Sequence, residues 1–167
     1  WVSVDAGEPV GFSNSSPAIS ADGRFVAFAS VYEVYVRDRQ TGTTEVVSVG
    51  TEGPESDPPS VIYGSLAISA DGRFVAFVSM SSFAGVADVH ARASQTPLGL
   101  WVRDRQTRTT EFVSATISGT PAINADGRFI AFELGGISVW DRQSGKTELV
   151  DVSASGAPAN GPSSSPA

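Results

Sequence analysis

Short apolar runs, each entered through a polar turn, recur along the whole chain. Phe25-Val26-Ala27-Phe28 returns as Phe74-Val75-Ala76-Phe77 and again as Phe129-Ile130-Ala131-Phe132. These runs are apolar at odd and even positions alike, as a strand must be when neighbours cover both its faces. Asp-Gly stands just ahead of each run, at Asp22-Gly23, Asp71-Gly72 and Asp126-Gly127. That dipeptide predicts a type I′ hairpin, whose two central residues need positive φ. In the first copy Pro17-Ala18-Ile19-Ser20 forms a strand before the turn, and Arg24 to Phe28 the strand after it. Val34-Tyr35-Val36 is a third strand, Gln40-Thr41-Gly42 a turn, and Thr44 to Val49 a fourth strand. Branched and aromatic residues favour strands throughout. No stretch carries a helical period.

The pattern is a repeat. Residues 18–28 and 67–77 are identical, and 122–132 differs only at Asn124 and Ile130. A second block follows each: Val36-Arg37-Asp38-Arg39-Gln40-Thr41, Val102-Arg103-Asp104-Arg105-Gln106-Thr107 and Val139-Trp140-Asp141-Arg142-Gln143-Ser144. The repeated aspartates are spaced 49 residues (Asp22 to Asp71) and 55 residues (Asp71 to Asp126) apart. Without the long insertion of the second copy the unit is roughly 45 residues, in the range of propeller repeats. Four antiparallel strands per unit make one propeller blade. The expected fold is therefore all-β: a β-propeller of four-stranded blades, three of them in this chain. The blades are expected at about 13–50, 62–115 and 119–154, with pieces of adjoining blades at 1–12 and 155–167.

The two blocks carry a resemblance. The Ser/Asn-Ala-Asp-Gly-Arg-Phe-Val/Ile-Ala-Phe and Val-Arg/Trp-Asp-Arg-Gln-Thr/Ser segments resemble the WD40-like, TolB-type propeller repeats of exported bacterial proteins. The resemblance covers nearly the whole chain. It implies a propeller and an extracellular or periplasmic setting. It does not choose among docking platforms, sugar binders and propeller domains of hydrolases.

Closed propellers have ~4–8 blades, so three make an arc with two apolar faces uncovered. Three arrangements cover them: a longer propeller of which this is a slice, two chains closing a six-bladed ring, or copies joined end to end in a filament. The expected partner is thus a protein, including further copies of this chain, with carbohydrate as the alternative.

Composition narrows the remaining classes. The net charge is −7 and no basic stripe exists, which argues against nucleic acid. No apolar run approaches the ~20 residues of a membrane helix. The absence of cysteine excludes disulfides and thiol chemistry. An acidic, Ser/Gly-rich chain fits an exported protein. No signal peptide is visible, and one removed ahead of Trp1 fits the same reading.

Candidate chemistry is sparse. The links between strands one and two and between three and four are short and nearly invariant. The others vary, and the second-blade link swells to residues 79–99. Recognition usually resides in irregular loops on a rigid scaffold. The candidate ligand or partner face is therefore Tyr63, Met80, Phe83, Asp88, His90, Arg92, Gln95 and Trp101. The plainer alternative folds this loop over its own blade, with Phe83 and Leu98 in the core. His90 has no visible nucleophile or orienting partner. With Asp88 it supplies too few ligands for a metal.

Asp22, Asp71 and Asp126 read as turn formers rather than calcium ligands. Asp38, Asp104 and Asp141, which alternate with arginines, read as a repeated ion pair or hydrogen bond bracing adjacent strands, with a ring of carboxylates binding cations as the alternative. Glu52, Glu55 and Asp57 form an acidic loop that leaves Ca²⁺ open as the one weak cofactor candidate. No Gly-x-Ser-x-Gly elbow occurs. The expectation is a non-catalytic scaffold that docks a partner, with no cofactor. The alternatives are a lectin-like propeller and the propeller domain of a hydrolase.

Overall fold

The computed structural model describes residues 15–30, 33–49, 62–80, 98–115, 117–153, 155–157 and 166. They form twelve strands: β1 Ser15–Ile19, β2 Phe25–Ala29, β3 Val34–Asp38, β4 Thr43–Val46, β5 Ile62–Ile68, β6 Phe74–Ser79, β7 Gly99–Asp104, β8 Thr109–Ala115, β9 Ser118–Ile123, β10 Phe129–Glu133, β11 Ile137–Asp141 and β12 Lys146–Leu149. They pair in sequence order into three four-stranded antiparallel sheets: β1 to β4, β5 to β8 and β9 to β12. The all-β, four-strand unit expected from the repeat is what forms.

Sequence identity becomes identity of register. Phe25 pairs with Asp38, Phe74 with Asp104 and Phe129 with Asp141. Each first strand carries one register irregularity against its second strand.

The Asp-Gly turn differs from the type I′ expectation. Gly23, Gly72 and Gly127 have φ near +70°, whereas Asp22, Asp71 and Asp126 do not have positive φ. The turn closes one residue earlier, through Gly23 N–H donating to Ser20 O at 2.9 Å. Side chains supply the reason. Ser20 Oγ donates to Asp22 Oδ1 at 2.6 Å, and Asp22 Oδ1 accepts from Arg24 N at 2.9 Å. Ser20 Oγ also accepts from Phe25 N at 2.9 Å. A short oxygen side chain at each end holds the turn in the common conformation, leaving the glycine alone in the left-handed region.

The sheets stack face to face. Strand β6 shows how: all six of its residues are buried. Val75 and Phe77 enter a cluster with Ala27, Ala29, Val34, Val36 and Val47 of the first sheet. Phe74, Ala76 and Val78 enter a second cluster with Ile130, Phe132 and Trp140 of the third. A strand apolar at every position is thus two alternating patterns superposed, one per neighbour. Fully burying a side chain such as Phe77 contributes ~1.5–3 kcal/mol, so these two seams are the main cohesive element.

Main-chain bonds stitch the turns together. Ala21 N donates to Ala70 O at 2.9 Å, and Ala70 N to Ala125 O at 3.1 Å. Arg103, buried in β7, donates to Thr110 Oγ1 at 3.0 Å and reaches Val49 O of the first sheet at 3.4 Å.

Candidate partner interface

The two junctions between sheets are made of the same parts. Within each sheet an arginine ahead of the second strand grips the aspartate ending the third. Arg24 binds Asp38 through Nε at 3.1 Å and Nη2 at 2.7 Å; Arg73–Asp104 and Arg128–Asp141 repeat the fork. Each aspartate also accepts from backbone N–H groups of the following turn, such as Gln40 N to Asp38 Oδ1 at 2.9 Å. The arginine hydrogen bond therefore holds the Asp38 and Asp141 carboxyls well below the usual range. Burial raises Asp104, but Arg73 and the Gln106 and Thr107 N–H groups outweigh it and leave the carboxyl at about 2.

The second arginine of the Arg-Asp-Arg block works across the junction. Arg105 pairs with Glu45 of the preceding sheet, donates to Gly72 O, and lies 4.4 Å from the centroid of the Phe25 ring. Arg142 pairs with Glu111 at 2.6 Å, donates to Gly127 O, and lies 4.1 Å from the Phe74 ring. Phe25 and Phe74 are each also contacted by their own sheet's Arg24 and Arg73. The glycines complete the fit. A Cβ on Gly72 would overlap the Phe25 ring, and one on Gly127 the Phe74 ring.

The third sheet carries the same set with nothing described on it. Phe129 holds its own Arg128 at 4.6 Å and, among the described residues, no second arginine. It is 37% exposed, against 6% for Phe74. Glu148, the counterpart of Glu45 and Glu111, is exposed. Val150, the counterpart of buried Val47, is 42% exposed. A groove of about 170 Å³ lies here, lined by Phe129, Val139, Asp141, Ser144, Lys146 and Glu148. This arrangement suits an apolar surface that presents a cation at its rim.

Most of the loop face expected from sequence falls outside the described residues. Phe83, Asp88, His90, Arg92 and Gln95 are outside the described residues, as are Glu52, Glu55 and Asp57. Tyr63 is on β5, with its side chain outside the described part. Met80 is exposed just past β6. Trp101 is 1% exposed, packed edge-on against Phe112 at 5.0 Å in the first seam. A core indole offers no face to a ligand, and it does not share a surface with Met80. Among the described residues no group of three or more His, Asp or Glu residues could hold a metal ion, and no helix is long and apolar enough to cross a membrane.

Neither the family models nor the curated proteins give a match to this sequence. Solved structures do. The propeller domain of the Trilobed protease from Pyrococcus furiosus superposes with a TM-score of 0.53 at 15% identity, over 81% of this chain and 40% of that one.

The fold is a β-propeller.

Oligogalacturonate lyase from Vibrio parahaemolyticus gives 0.54 at 12% identity, over 80% of this chain and 39% of that chain. Porphyromonas gingivalis dipeptidyl peptidase 4 gives 0.54 at 16%, over 80% and 24%. The chain therefore spans 24 to 40% of these three structures. At these identities the likeness establishes the propeller architecture. The TolB-type family suggested by the repeat has no matching family model.

Proposed function

We propose that this chain is a non-catalytic propeller module of an exported bacterial protein and that it docks a protein through the uncovered face of its third blade. One observation carries the reading. Phe129, Val139, Glu148 and Val150 repeat the set that seals both internal junctions, yet they stand exposed or half-exposed. Exposed apolar surface rimmed by polar groups marks an interaction site more often than idle surface. A glutamate at the rim specifies a cation on the partner. The acidic, cysteine-free composition and the repeat resemblance support an exported setting. A peptidase and a lyase share this architecture, at identities that transfer the fold and none of their chemistry.

The test separates the two candidate faces. A photo-crosslinking residue at position 139 reports on the blade face, and one at position 80 on the loop face. Protein adducts at 139, lost on Phe129→Ser, with none at 80, are the expected result. Adducts confined to 80, or glycan binding that survives Phe129→Ser, would move recognition to the variable loops.

A further inference from the structure

The two ends of the arc are complementary. The outgoing half of a junction is exposed on the third blade, as Phe129, Glu148 and Val150. The incoming half consists of a positive-φ glycine, an arginine that holds its carbonyl, and an isoleucine beside them. At the internal junctions these are Gly72, Arg105 and Ile68, then Gly127, Arg142 and Ile123. The first blade carries the same three at its own rim. Gly23 has φ +71°, and among the described residues beyond its chain neighbours a Cβ placed on it comes within 4 Å of the side chains of Arg39 and Ile19. Arg39 donates to Gly23 O at 2.7 Å, as Arg105 and Arg142 do to their glycines. Ile19 is 58% exposed, whereas its counterpart Ile68 is 9% exposed in the first seam. Deeper on this face Val26, Phe28 and Tyr35 are already buried, so the available contact is the rim.

We propose that the partner of the third-blade face is a second copy of this chain, docked head to tail by its first blade. Arg39 of one copy stacks on Phe129 of the other and pairs with Glu148, while the Phe129 ring closes against Gly23. The proposal rests on the blade-face reading above and names its occupant. The complementarity is specific because residues 24 to 28 and 39 to 41 of the first blade repeat residues 73 to 77 and 105 to 107, which already make this contact inside the chain. Two copies joined this way at both ends bring together six blades, inside the ~4–8 of closed propellers, whereas three copies bring nine. Heterologous contacts close into a ring when the rotation allows.

The test is light scattering on the full chain across a concentration series at ~0.15 M salt, where screening limits the repulsion between acidic copies. The expected species has twice the 17.3 kDa of one chain. Arg39→Glu and Glu148→Arg are each expected to weaken association by about 10-fold or more, because each sets like charges against one another at the rim. The double variant restores it, because the exchanged charges meet again across the junction. Both side chains are exposed, so melting of each single variant at low concentration checks that the fold is retained. A chain that stays monomeric at every concentration overturns the proposal, with crosslinking at 139 still reporting on the blade-face reading. Association indifferent to Arg39→Glu, or a double variant no better than the singles, also overturns it. Such an outcome would mean a different occupant, such as a further repeat of the same polypeptide or an unrelated protein.

Discussion

Among the described residues, Arg108 and Ser16 hold a conformation that their side chains resist, and Arg108 is explained by its siblings. Arg108 has φ +60°, at the position where the other blades have Gly42 and Gly145 at +72° and +69°. The left-handed conformation costs a non-glycine residue ~1–2 kcal/mol. Arg108 also adds a like charge near Arg103, whose guanidinium burial already disfavours. Arg108→Gly therefore raises stability by about 1 kcal/mol, after the greater flexibility of glycine in the unfolded chain is subtracted. For a chain of this size that is ~2–4 °C in melting temperature. An unchanged or lowered melting point would show that the arginine makes a compensating contact. The spacing of the repeat alone made this strain legible. Ser16, at φ +52°, follows Ser15 in the irregularity of β1 as Gly119, at +74°, follows Ser118 in that of β9, and nothing in the sequence pointed to it.

The aspartates that end the third strands predict acid sensitivity, also at residue scale. Asp38, Asp104 and Asp141 all titrate below their ordinary value in the folded chain. Between the unfolded value of ~3.9 and the lower folded values, the unfolded chain binds more protons. Stability from these groups is therefore complete above that window and is lost as pH falls through it. The melting temperature should drop steeply from about pH 4 to about pH 2. Asp104→Asn should lower it at pH 7 and flatten part of the acid slope. A slope unchanged by Asp104→Asn would place acid sensitivity in other carboxylates.

At the scale of the element, the turn and the junction are one device. Gly72 and Gly127 each serve their own hairpin through a positive φ and the preceding blade through the missing side chain. These roles separate experimentally. Gly145→Ala meets nothing within 4 Å and carries only the conformational cost of ~1–2 kcal/mol. Gly127→Ala carries that cost and forces the Phe74 ring off its seat as well, which overpacking data put at ~1–3 kcal/mol more. Denaturant unfolding of the two variants should show that difference, and equal losses would mean that the junction yields freely.

Strand order, the four-strand unit and the doubly covered central strands were readable in the sequence, because burial on both faces leaves an unmistakable apolar run. The role of the second arginine was not. In Arg103-Asp104-Arg105 two arginines flank one aspartate, and spacing does not tell that the aspartate binds Arg73 instead while Arg105 crosses to Glu45 of the preceding sheet. The type I′ turn was misread for a related reason. Asp-Gly suits two turn types, and the choice fell to Ser20 and Asp22 side chains bonding to each other and to the backbone. The exposed face on the third blade was legible as an unfinished stack, but its residues emerge only when equivalent positions are superposed in space.

The whole molecule is a stack in which each blade touches only its neighbours, so stability should be distributed unevenly along it. The second blade is covered on both sides: every residue of β6 and β7 is buried. The third is covered on one side, and every residue of β12 is exposed. Local opening draws on the regions with the fewest buried contacts. Amide hydrogen exchange should therefore be slowest at residues 75–78 and 100–102 and fastest at 146–149. The order follows from packing alone and holds for a single chain in dilute solution. Head-to-tail pairing adds a second signature, because whatever binds the folded state stabilises it in proportion to its concentration. Exchange in β10 and β11 should then slow as protein concentration rises, while that in β6, already covered, changes least. Equal exchange across the three blades at low concentration would mean that the arc opens as one unit, and the nearest-neighbour account of its stability would fail.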